Sequence, residues 1–156
     1  ERVLDVGAGT GVLAIAAART GSAKAVGTDI DGPSVRISRE NAKLNGLSGK
    51  TVFEARNLFE ITPVDLRAAG AAARWLVDPP REGAFALSKA VADLHAEGGF
   101  VLPRRIVYVS CNPATLARDA GLLVHQGGYR CSLAGVVNMF PHTAHVESMA
   151  VFDRQE

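Results

Sequence analysis

The sequence predicts an α/β fold in which a mostly parallel sheet ends in an antiparallel hairpin. Short apolar runs rich in β-branched residues alternate with longer helical stretches along nearly the whole chain. Repeated β-α units of this kind form a parallel sheet with helices on both faces. The alternation breaks once, because the last two strands, residues 130–136 and 146–153, are joined only by the loop 137–145. Two strands connected in this way are expected to pair antiparallel.

The individual elements follow from local residue patterns. Apolar runs predict five parallel strands at residues 2–6, 23–28, 51–54, 75–78 and 106–110. Apolar residues at helical spacing predict helices at residues 11–19, 33–45, 64–73, 86–96 and 114–124. The second helix has the clearest limits, because Pro33 stands at its start and Gly46 just past its end. Residues 106–109 read as a fully buried strand.

Length and charge restrict the classes of function. The chain has 156 residues, which suits one domain with a real core, and it begins abruptly at its first strand, as expected of a domain cut from a longer protein. With 17 Lys and Arg against 16 Asp and Glu, the charge is almost balanced, so this segment alone is not expected to bind RNA tightly. No apolar run is long enough to span a membrane. Two cysteines without metal-ligand spacing predict a reducing, cytoplasmic setting and no metal site.

A glycine-rich turn follows the first predicted strand. Asp5 is followed by Gly7, Gly9 and Gly11, and glycines let the backbone turn tightly and approach a ligand closely. The second strand leads into Asp29, an acid placed to accept hydrogen bonds from ribose hydroxyls. An acid at the end of the first strand would repel a pyrophosphate but suits the amino acid part of S-adenosylmethionine. Together these residues resemble the class I (Rossmann-like) methyltransferase fold rather than an NAD site, whose Gly-x-Gly-x-x-Gly spacing is not matched.

The motif Asp78-Pro-Pro-Arg81 follows the fourth predicted strand. Two prolines fix the backbone as it leaves the sheet, which holds the neighbouring side chains in place. In amino-methyltransferases a similar motif is followed by an aromatic residue that stacks on the target base. Arg81 occupies that position here, which argues against chemistry on an exocyclic amine. The alternative is a rigid loop in which Asp78 caps backbone N–H groups.

The segment Ile106-Val-Tyr-Val-Ser-Cys-Asn-Pro113 is the most informative part of the chain. Asn112 suits a helix N-cap and Pro113 the first helical position, so Cys111 lies between the end of a strand and the start of a helix. Backbone N–H groups and the helix dipole at that point favour a thiolate, the form of cysteine that attacks carbon. The alternative is a buried structural cysteine.

These motifs resemble those of the RNA uridine-5-methyltransferases, which make 5-methyluridine in tRNA and large-subunit rRNA. The resemblance rests on five segments in the same order along the chain: residues 78–81, 106–113, 114–119, 139–143 and 145–147. It covers essentially all 156 residues, as the C-terminal catalytic domain of that family. The RNA-binding region that members carry upstream is not part of this sequence. One departure is Asn138, which stands where the family usually has Asp.

The resemblance implies a role for each candidate residue. Cys111 would be the nucleophile and Glu147 the base that removes the C5 proton of the uracil. Asp78 would border the substrate and cofactor pockets, and Arg81 would contact the substrate. Asp5, Gly7, Gly9, Gly11 and Asp29 would hold S-adenosylmethionine. The expected reaction transfers a methyl group to C5 of a uridine through a covalent cysteine adduct, with RNA bound by the complete protein and with neither a membrane nor an obligate protein partner.

Topology independently supports a pairing of Cys111 with Glu147. In the class I methyltransferase arrangement the last strand is antiparallel and lies beside the fifth strand. The start of the last strand, at Glu147, therefore adjoins the end of the fifth strand, at Cys111. Asp5, Asp29 and Asp78 lie at the ends of other strands on the same edge, where open α/β sheets bind ligands.

Several alternatives remain open at this point. Another class I methyltransferase could act on C5 of cytosine in RNA, or on a small molecule or protein by direct transfer, in which case Cys111 would be dispensable. A binding domain could also keep the scaffold without catalysis. His142 and His145 lack a third ligand for a metal and are interpreted as loop residues near the substrate. Cys131 lies inside a predicted strand and is expected in the core.

Overall fold

The computed structural model describes residues 1–21 and 23–155, which contain seven strands, five α-helices and one short 3₁₀-helix. The strands are β1 (Arg2–Val6), β2 (Lys24–Asp29), β3 (Thr51–Ala55), β4 (Arg74–Val77), β5 (Arg105–Ser110), β6 (Tyr129–Val137) and β7 (Glu147–Arg154). The helices are α1 (Val12–Arg19), α2 (Gly32–Leu44), α3 (Pro63–Ala69), α4 (Phe85–Glu97) and α5 (Pro113–His125), and the 3₁₀-helix spans Leu58–Glu60. None of the helices in the described ranges is long and apolar enough to cross a membrane.

All seven strands form one sheet, in the order β3-β2-β1-β4-β5-β7-β6. The pairs among β1 to β5 are parallel, whereas β7 runs antiparallel to both β5 and β6. The last strand of the chain therefore lies between the fifth and sixth strands. This topology confirms the predicted α/β class with its terminal antiparallel hairpin.

The helices enclose the sheet in two separate apolar clusters. One cluster joins α1 and α2 to the sheet through small side chains and the ring of Phe53. The larger cluster contains the buried residues of α3, α4 and α5 together with Trp75, Tyr108 and Phe152 of the sheet. Since alternate residues of a strand point to opposite faces, Ala25 belongs to the first cluster and Val26 to the second. The predicted helical layers on both faces are confirmed.

Two features between β3 and β4 differ from the prediction: the end of one helix and the presence of a 3₁₀-helix. The third helix ends at Ala69 rather than at residue 73, because Gly70 leaves the helix with a φ of +79°. The 3₁₀-helix was not predicted; the side chain of Asn57 accepts a hydrogen bond from the Phe59 N–H at its start.

Burial in the last strands also differs from the prediction. Cys131 is exposed, not part of the core, because β6 is an edge strand whose residues after Tyr129 are all exposed. The strand at residues 106–109 is buried on one face only: Ile106 and Tyr108 are covered by the helices, whereas Val107 and Val109 are half-buried on the opposite face.

Candidate active site

The predicted site residues lie where the parallel strands end. Asp5 and Asp29 stand at the ends of β1 and β2, and Asp78 and Cys111 directly follow β4 and β5. Glu147 is the first residue of β7, which runs in the opposite direction and therefore begins at this same edge. Open α/β sheets bind their ligands at this edge, in the crevice beyond the strand ends.

Asp5 is completely buried and only partly satisfied by hydrogen bonds. Its Oδ2 accepts a hydrogen bond of 2.9 Å from the Ala14 N–H at the start of α1. Its Oδ1 has no hydrogen-bond partner within the described residues. Burial raises the pKa of Asp5 to about 6; the Ala14 N–H lowers this pKa, and the nearby charges of Asp78 and Asp29 raise it. A buried oxygen without a donor is costly, and a ligand carrying an N–H group would satisfy it.

The glycine turn brings β1 against the segment after β4. Gly7 has a φ of +81°, and a Cβ at this position would lie 2.1 Å from the carbonyl oxygen of Asp78, so only glycine fits. The Gly9 N–H donates a hydrogen bond of 2.8 Å to Oδ2 of Asp29, and a Cβ on Gly9 would meet nothing within 4 Å. The open space beside Gly9 lets a ligand approach the backbone.

Gly11 and Asp29 have contacts that the sequence did not indicate. Gly11 lies directly before α1, and a Cβ there would come within 3.0 Å of the Phe53 ring, so this glycine permits close packing of α1 against the sheet. Oδ1 of Asp29 accepts a hydrogen bond of 2.9 Å from the Asp31 N–H. Together with its contact to Gly9, this bond means that Asp29 links the glycine turn after β1 to the turn after β2.

A cavity of about 320 Å³ opens between the glycine turn and the segment after β3. Of the residues predicted to hold the cofactor, Gly7, Asp29 and Asp78 line this cavity, whereas Asp5, Gly9 and Gly11 do not. The lining residues that were not predicted include Ile30 and, in the segment after β3, Arg56, Leu58, Phe59 and Ile61. Ile30 directly follows the acid that ends β2, which is the one signal that could have identified it. The apolar walls suit a planar base, because binding cavities combine apolar surfaces with a few placed polar groups.

Asp78 and Glu147 approach each other at this edge. The Asp78 N–H donates to the carbonyl of Val6 at 2.9 Å, which continues the pairing of the sheet beyond β4. Burial raises the pKa of the Asp78 carboxyl, and the negative charge of Glu147 raises it further. A carboxyl with a raised pKa close to another carboxylate is typical of functional sites.

The register of β5 and β7 determines where Cys111 and Glu147 lie. Ser110 pairs with Ser148, and the Ser148 hydroxyl donates a hydrogen bond of 3.0 Å to the Ser110 carbonyl. Cys111 follows one member of this pair and Glu147 precedes the other. Cys111 is half-buried and is not in a disulfide. The structure thus brings together two residues separated by 36 positions in the sequence.

The start of α5 also holds the segment that carries Arg81. Asn112 is the N-cap of α5, as predicted, and its Oδ1 accepts a hydrogen bond of 3.1 Å from the Ala114 N–H. The Arg81 carbonyl accepts hydrogen bonds from the Thr115 hydroxyl at 3.0 Å and from Nδ2 of Asn112 at 3.2 Å. Nη1 of Arg81 lies 3.2 Å from Nδ1 of His145, in the loop before β7. Arg81 is therefore at the rim, between the segments that carry Cys111 and Glu147.

Comparisons with known proteins agree with this geometry. Residues 1–78 match the family model described as ribosomal protein L11 methyltransferase (PrmA). The 23S rRNA (uracil(1939)-C(5))-methyltransferase RlmD of Cupriavidus metallidurans is 58% identical over 156 residues, which cover 99% of this chain and 33% of that relative. The protein of the same name from Ralstonia nicotianae is 58% identical over 159 residues, with 99% and 35% covered. The chain spans about a third of the length of these relatives.

Solved structures share the fold. TrmN from Thermus thermophilus superimposes with a TM-score of 0.70 at 24% identity, over 99% of this chain and 44% of that one. TrmK of M. capricolum, in complex with S-adenosyl-homocysteine, superimposes with a TM-score of 0.69 at 15% identity, over 99% and 62%. The match over residues 1–78 shows that the chain belongs to the methyltransferase family described by the PrmA model, and the 58% identical relatives confirm its resemblance to the RNA uridine-5-methyltransferases.

Proposed function

We propose that residues 1–156 form the catalytic domain of a longer enzyme that methylates C5 of a uridine in RNA. S-adenosylmethionine would be the methyl donor, and the names of the relatives point to ribosomal RNA as the substrate. The observation that supports the proposal is the Ser110–Ser148 pair, because Cys111 follows one member and Glu147 precedes the other at the ligand-binding edge of the sheet. A nucleophile and a base at adjoining strand ends are what a covalent mechanism on one small ring requires.

The residues at this edge fit S-adenosylmethionine. The unpartnered Oδ1 of Asp5 would accept a hydrogen bond from the amino group of the cofactor. Gly7 and Gly9 would let the backbone approach the amino acid part, with Gly11 closing the turn into α1. Asp29 would accept hydrogen bonds from the ribose hydroxyls.

The cavity walls fit the rest of the cofactor. Ile30 and Phe59 would contact the adenine, and Asp78 would separate the cofactor from the substrate. When bound, S-adenosylmethionine supplies an electrophilic methyl group.

Cys111 would make the uracil reactive. C5 of uracil is too weak a nucleophile to take a methyl group directly. Addition of the Cys111 thiolate to C6 forms a C–S bond and moves the electron pair of the C5–C6 double bond into an enolate, so that C5 becomes nucleophilic. Cys111 lies directly before Asn112, the N-cap of α5, so the nucleophile is held at the junction of β5 and this helix.

Glu147 would complete the reaction. Once C5 carries the methyl group, its remaining proton must leave before the cysteine can be released. The carboxylate of Glu147 takes that proton, the electrons of the C–H bond restore the C5–C6 double bond, and the bond from C6 to sulfur breaks. The charge of Glu147 raises the pKa of Asp78, so the two carboxyl groups are close to each other. Asp78 would therefore lie at the edge of the uracil ring on which Glu147 acts, with Arg81 at the rim of the site.

The complete protein would supply most of the RNA affinity. This chain has a formal net charge of only +1, which provides little attraction for phosphates. A uridine in folded RNA must also be swung out of its stack, at a cost of a few kcal/mol. The part of the protein outside this chain would contribute those contacts.

RNA containing 5-fluorouridine tests the proposal. Fluorine cannot leave C5 as a cation, so the complete protein with S-adenosylmethionine should accumulate a protein–RNA adduct that survives a denaturing gel. Cys111→Ala should abolish the adduct, and Cys131→Ala, which changes the exposed cysteine of β6, should leave it unchanged. An adduct that persists in Cys111→Ala, or no adduct from wild-type protein that binds the cofactor, would contradict the proposal and favour direct transfer to another substrate.

A further inference from the structure

Helix α5 holds the segment after Pro80 along four consecutive residues. The Thr115 hydroxyl donates a hydrogen bond of 3.0 Å to the carbonyl of Arg81, and Nη2 of Arg118 donates one of 2.8 Å to the carbonyl of Glu82. Thr115 and Arg118 are three positions apart in α5, so they lie on the same face of the helix. This face continues through Asp119, whose contacts are the strongest of the set.

Asp119 is completely buried and fully supplied with donors. Its Oδ2 accepts hydrogen bonds from the Ala84 N–H at 2.7 Å and from the Tyr108 hydroxyl at 2.6 Å. Its Oδ1 accepts a hydrogen bond of 2.8 Å from Nε of Arg118. Ala84 is the N-cap of α4, and its N–H is one of the groups at a helix start that have no partner within the helix; Asp119 supplies an acceptor for it from a neighbouring helix.

Gly83 lets the segment lie this close to α5. It has a φ of +80°, and a Cβ on it would lie 2.7 Å from Oδ2 of Asp119 and 2.8 Å from Nη2 of Arg118. A side chain at position 83 would therefore push the segment away from the helix. The backbone from Arg81 to Ala84 is fitted to α5 at every residue.

We propose that Asp119 is a positioning residue, which together with Tyr108 fixes Asp78 and Arg81 relative to Cys111. Helix α5 begins two residues after Cys111, and the segment it grips begins three residues after Asp78. The buried carboxylate thus joins the nucleophile and the substrate-contacting residues into one rigid unit. The inference rests on the proposed function for those residues, while Asp119 itself touches neither substrate nor cofactor.

The variant Tyr108→Phe tests this in the complete protein, because it removes only the hydroxyl, which donates a hydrogen bond to Asp119 and accepts one from the Ala84 N–H. The matched control is Tyr129→Phe, which removes a comparable hydroxyl from another fully buried tyrosine, bonded to the Pro103 carbonyl at 2.7 Å near the start of β5, the end of that strand away from Cys111. Asp119→Asn is the second, stronger variant. The measurements are kcat and KM for RNA methylation, the affinity for S-adenosylmethionine, and amide hydrogen exchange in residues 81–84.

Tyr108→Phe should lower kcat on the order of 10- to 100-fold, the range expected when a reacting group is misplaced by up to 1 Å. Cofactor affinity should stay at the wild-type value, and amide exchange in residues 81–84 should become faster. Tyr129→Phe should change neither kcat nor this exchange. Equal kcat values for the two tyrosine variants, or unchanged exchange in both Tyr108→Phe and Asp119→Asn, would overturn the inference.

The same experiment separates the inference from the proposed function. Wild-type protein that methylates no RNA would contradict the function, and the exchange measurement would then decide the positioning role alone. Active wild-type protein with fully active Tyr108→Phe and Asp119→Asn variants would overturn only the inference.

Discussion

The Ser148 hydroxyl donates a hydrogen bond of 3.0 Å to the carbonyl of Ser110 at the last pair between β7 and β5. Glu147 precedes Ser148 as the first residue of β7, and Cys111 follows Ser110 just beyond the end of β5. Cross-strand neighbours in an antiparallel sheet, such as Ser110 and Ser148, have Cβ atoms about 5 Å apart, so the backbone positions of Cys111 and Glu147 start from one closely spaced pair. The central relationship of the proposed mechanism is therefore determined by sheet register.

Ser148→Ala should loosen this pair. Ser148 is buried, and loss of its hydrogen bond should lower the unfolding free energy by about 1 kcal/mol and reduce kcat for RNA methylation. Ser132→Ala is the matched control, since the exposed Ser132 hydroxyl bonds to the Val151 carbonyl at 3.2 Å in the same hairpin, away from the site. Denaturant unfolding and steady-state kinetics of both variants check this; a kcat of Ser148→Ala equal to that of Ser132→Ala would disprove it.

Gly7→Ala should abolish cofactor binding. The added Cβ would meet the Asp78 carbonyl at 2.1 Å, and the φ of +81° adds about 1–2 kcal/mol of backbone strain for any residue other than glycine. Relief of the clash would displace the segment that follows β4. Titration calorimetry with S-adenosylmethionine measures the effect. Gly49→Ala, at a site with open space and no positive φ, should bind like wild type, and wild-type binding by Gly7→Ala would refute the assignment of this turn.

Cofactor affinity should rise with pH between pH 5 and pH 7. Burial raises the pKa of Asp5 to about 6, and only the ionised carboxylate can bind a cationic amino group strongly. At pH 5 about one tenth of Asp5 would be ionised, so affinity should be roughly tenfold weaker than at pH 7. Asp5→Asn should bind weakly at both values and lose this dependence. A wild-type affinity that does not change with pH would speak against the role of Asp5.

The same ionisation predicts how stability of the cofactor-free protein changes. An acid whose pKa is raised by folding keeps its proton in the folded protein at pH values where the unfolded chain has lost it. The contribution of Asp5 to the unfolding free energy should therefore fall as pH rises from about 4 to about 6. The unfolding free energy of wild type minus that of Asp5→Asn, measured from about pH 4 to about pH 6, isolates this contribution. A difference that stays constant over this pH range would contradict the prediction.

Arg81→Ala should raise the KM for RNA more than it lowers kcat. Arg81 is at the rim beside His145, where it would contact the substrate without touching the reacting atoms. Arg105→Ala removes an equal charge from the opposite end of β5, where Arg105 is paired with Asp153 at 2.6 Å. Steady-state kinetics over a range of RNA concentrations compare the two. Equal KM values for both variants would show that position 81 contributes only general positive charge.

Much of the site could be predicted because strand order converts sequence positions into neighbours. The alternating β-α pattern and the final hairpin were enough to predict that the end of the fifth strand adjoins the start of the last one, although 36 positions separate Cys111 from Glu147. The N-cap at Asn112 was predictable as well, because capping depends on residues next to each other in the chain.

Contacts between distant segments left no such signal. Nothing in the spacing of Gly83 and Asp119 indicates that one makes room for the other, because their contact depends on how α5 packs beside the segment after β4. Burial of Cys131 was predicted wrongly for a related reason. A strand pattern shows which residues alternate, but exposure depends on whether another element covers that edge.

The central claim, that Cys111 and Glu147 act in turn on one uracil, is tested most directly by Glu147→Gln with unmodified RNA. The amide keeps the size of the side chain but cannot take the C5 proton, so the ring should be methylated and remain attached to Cys111. A denaturing gel of the complete protein with RNA and S-adenosylmethionine should then show a stable protein–RNA adduct, which is absent from Glu147→Gln combined with Cys111→Ala. Release of methylated RNA at the wild-type rate, without an adduct, would contradict the account.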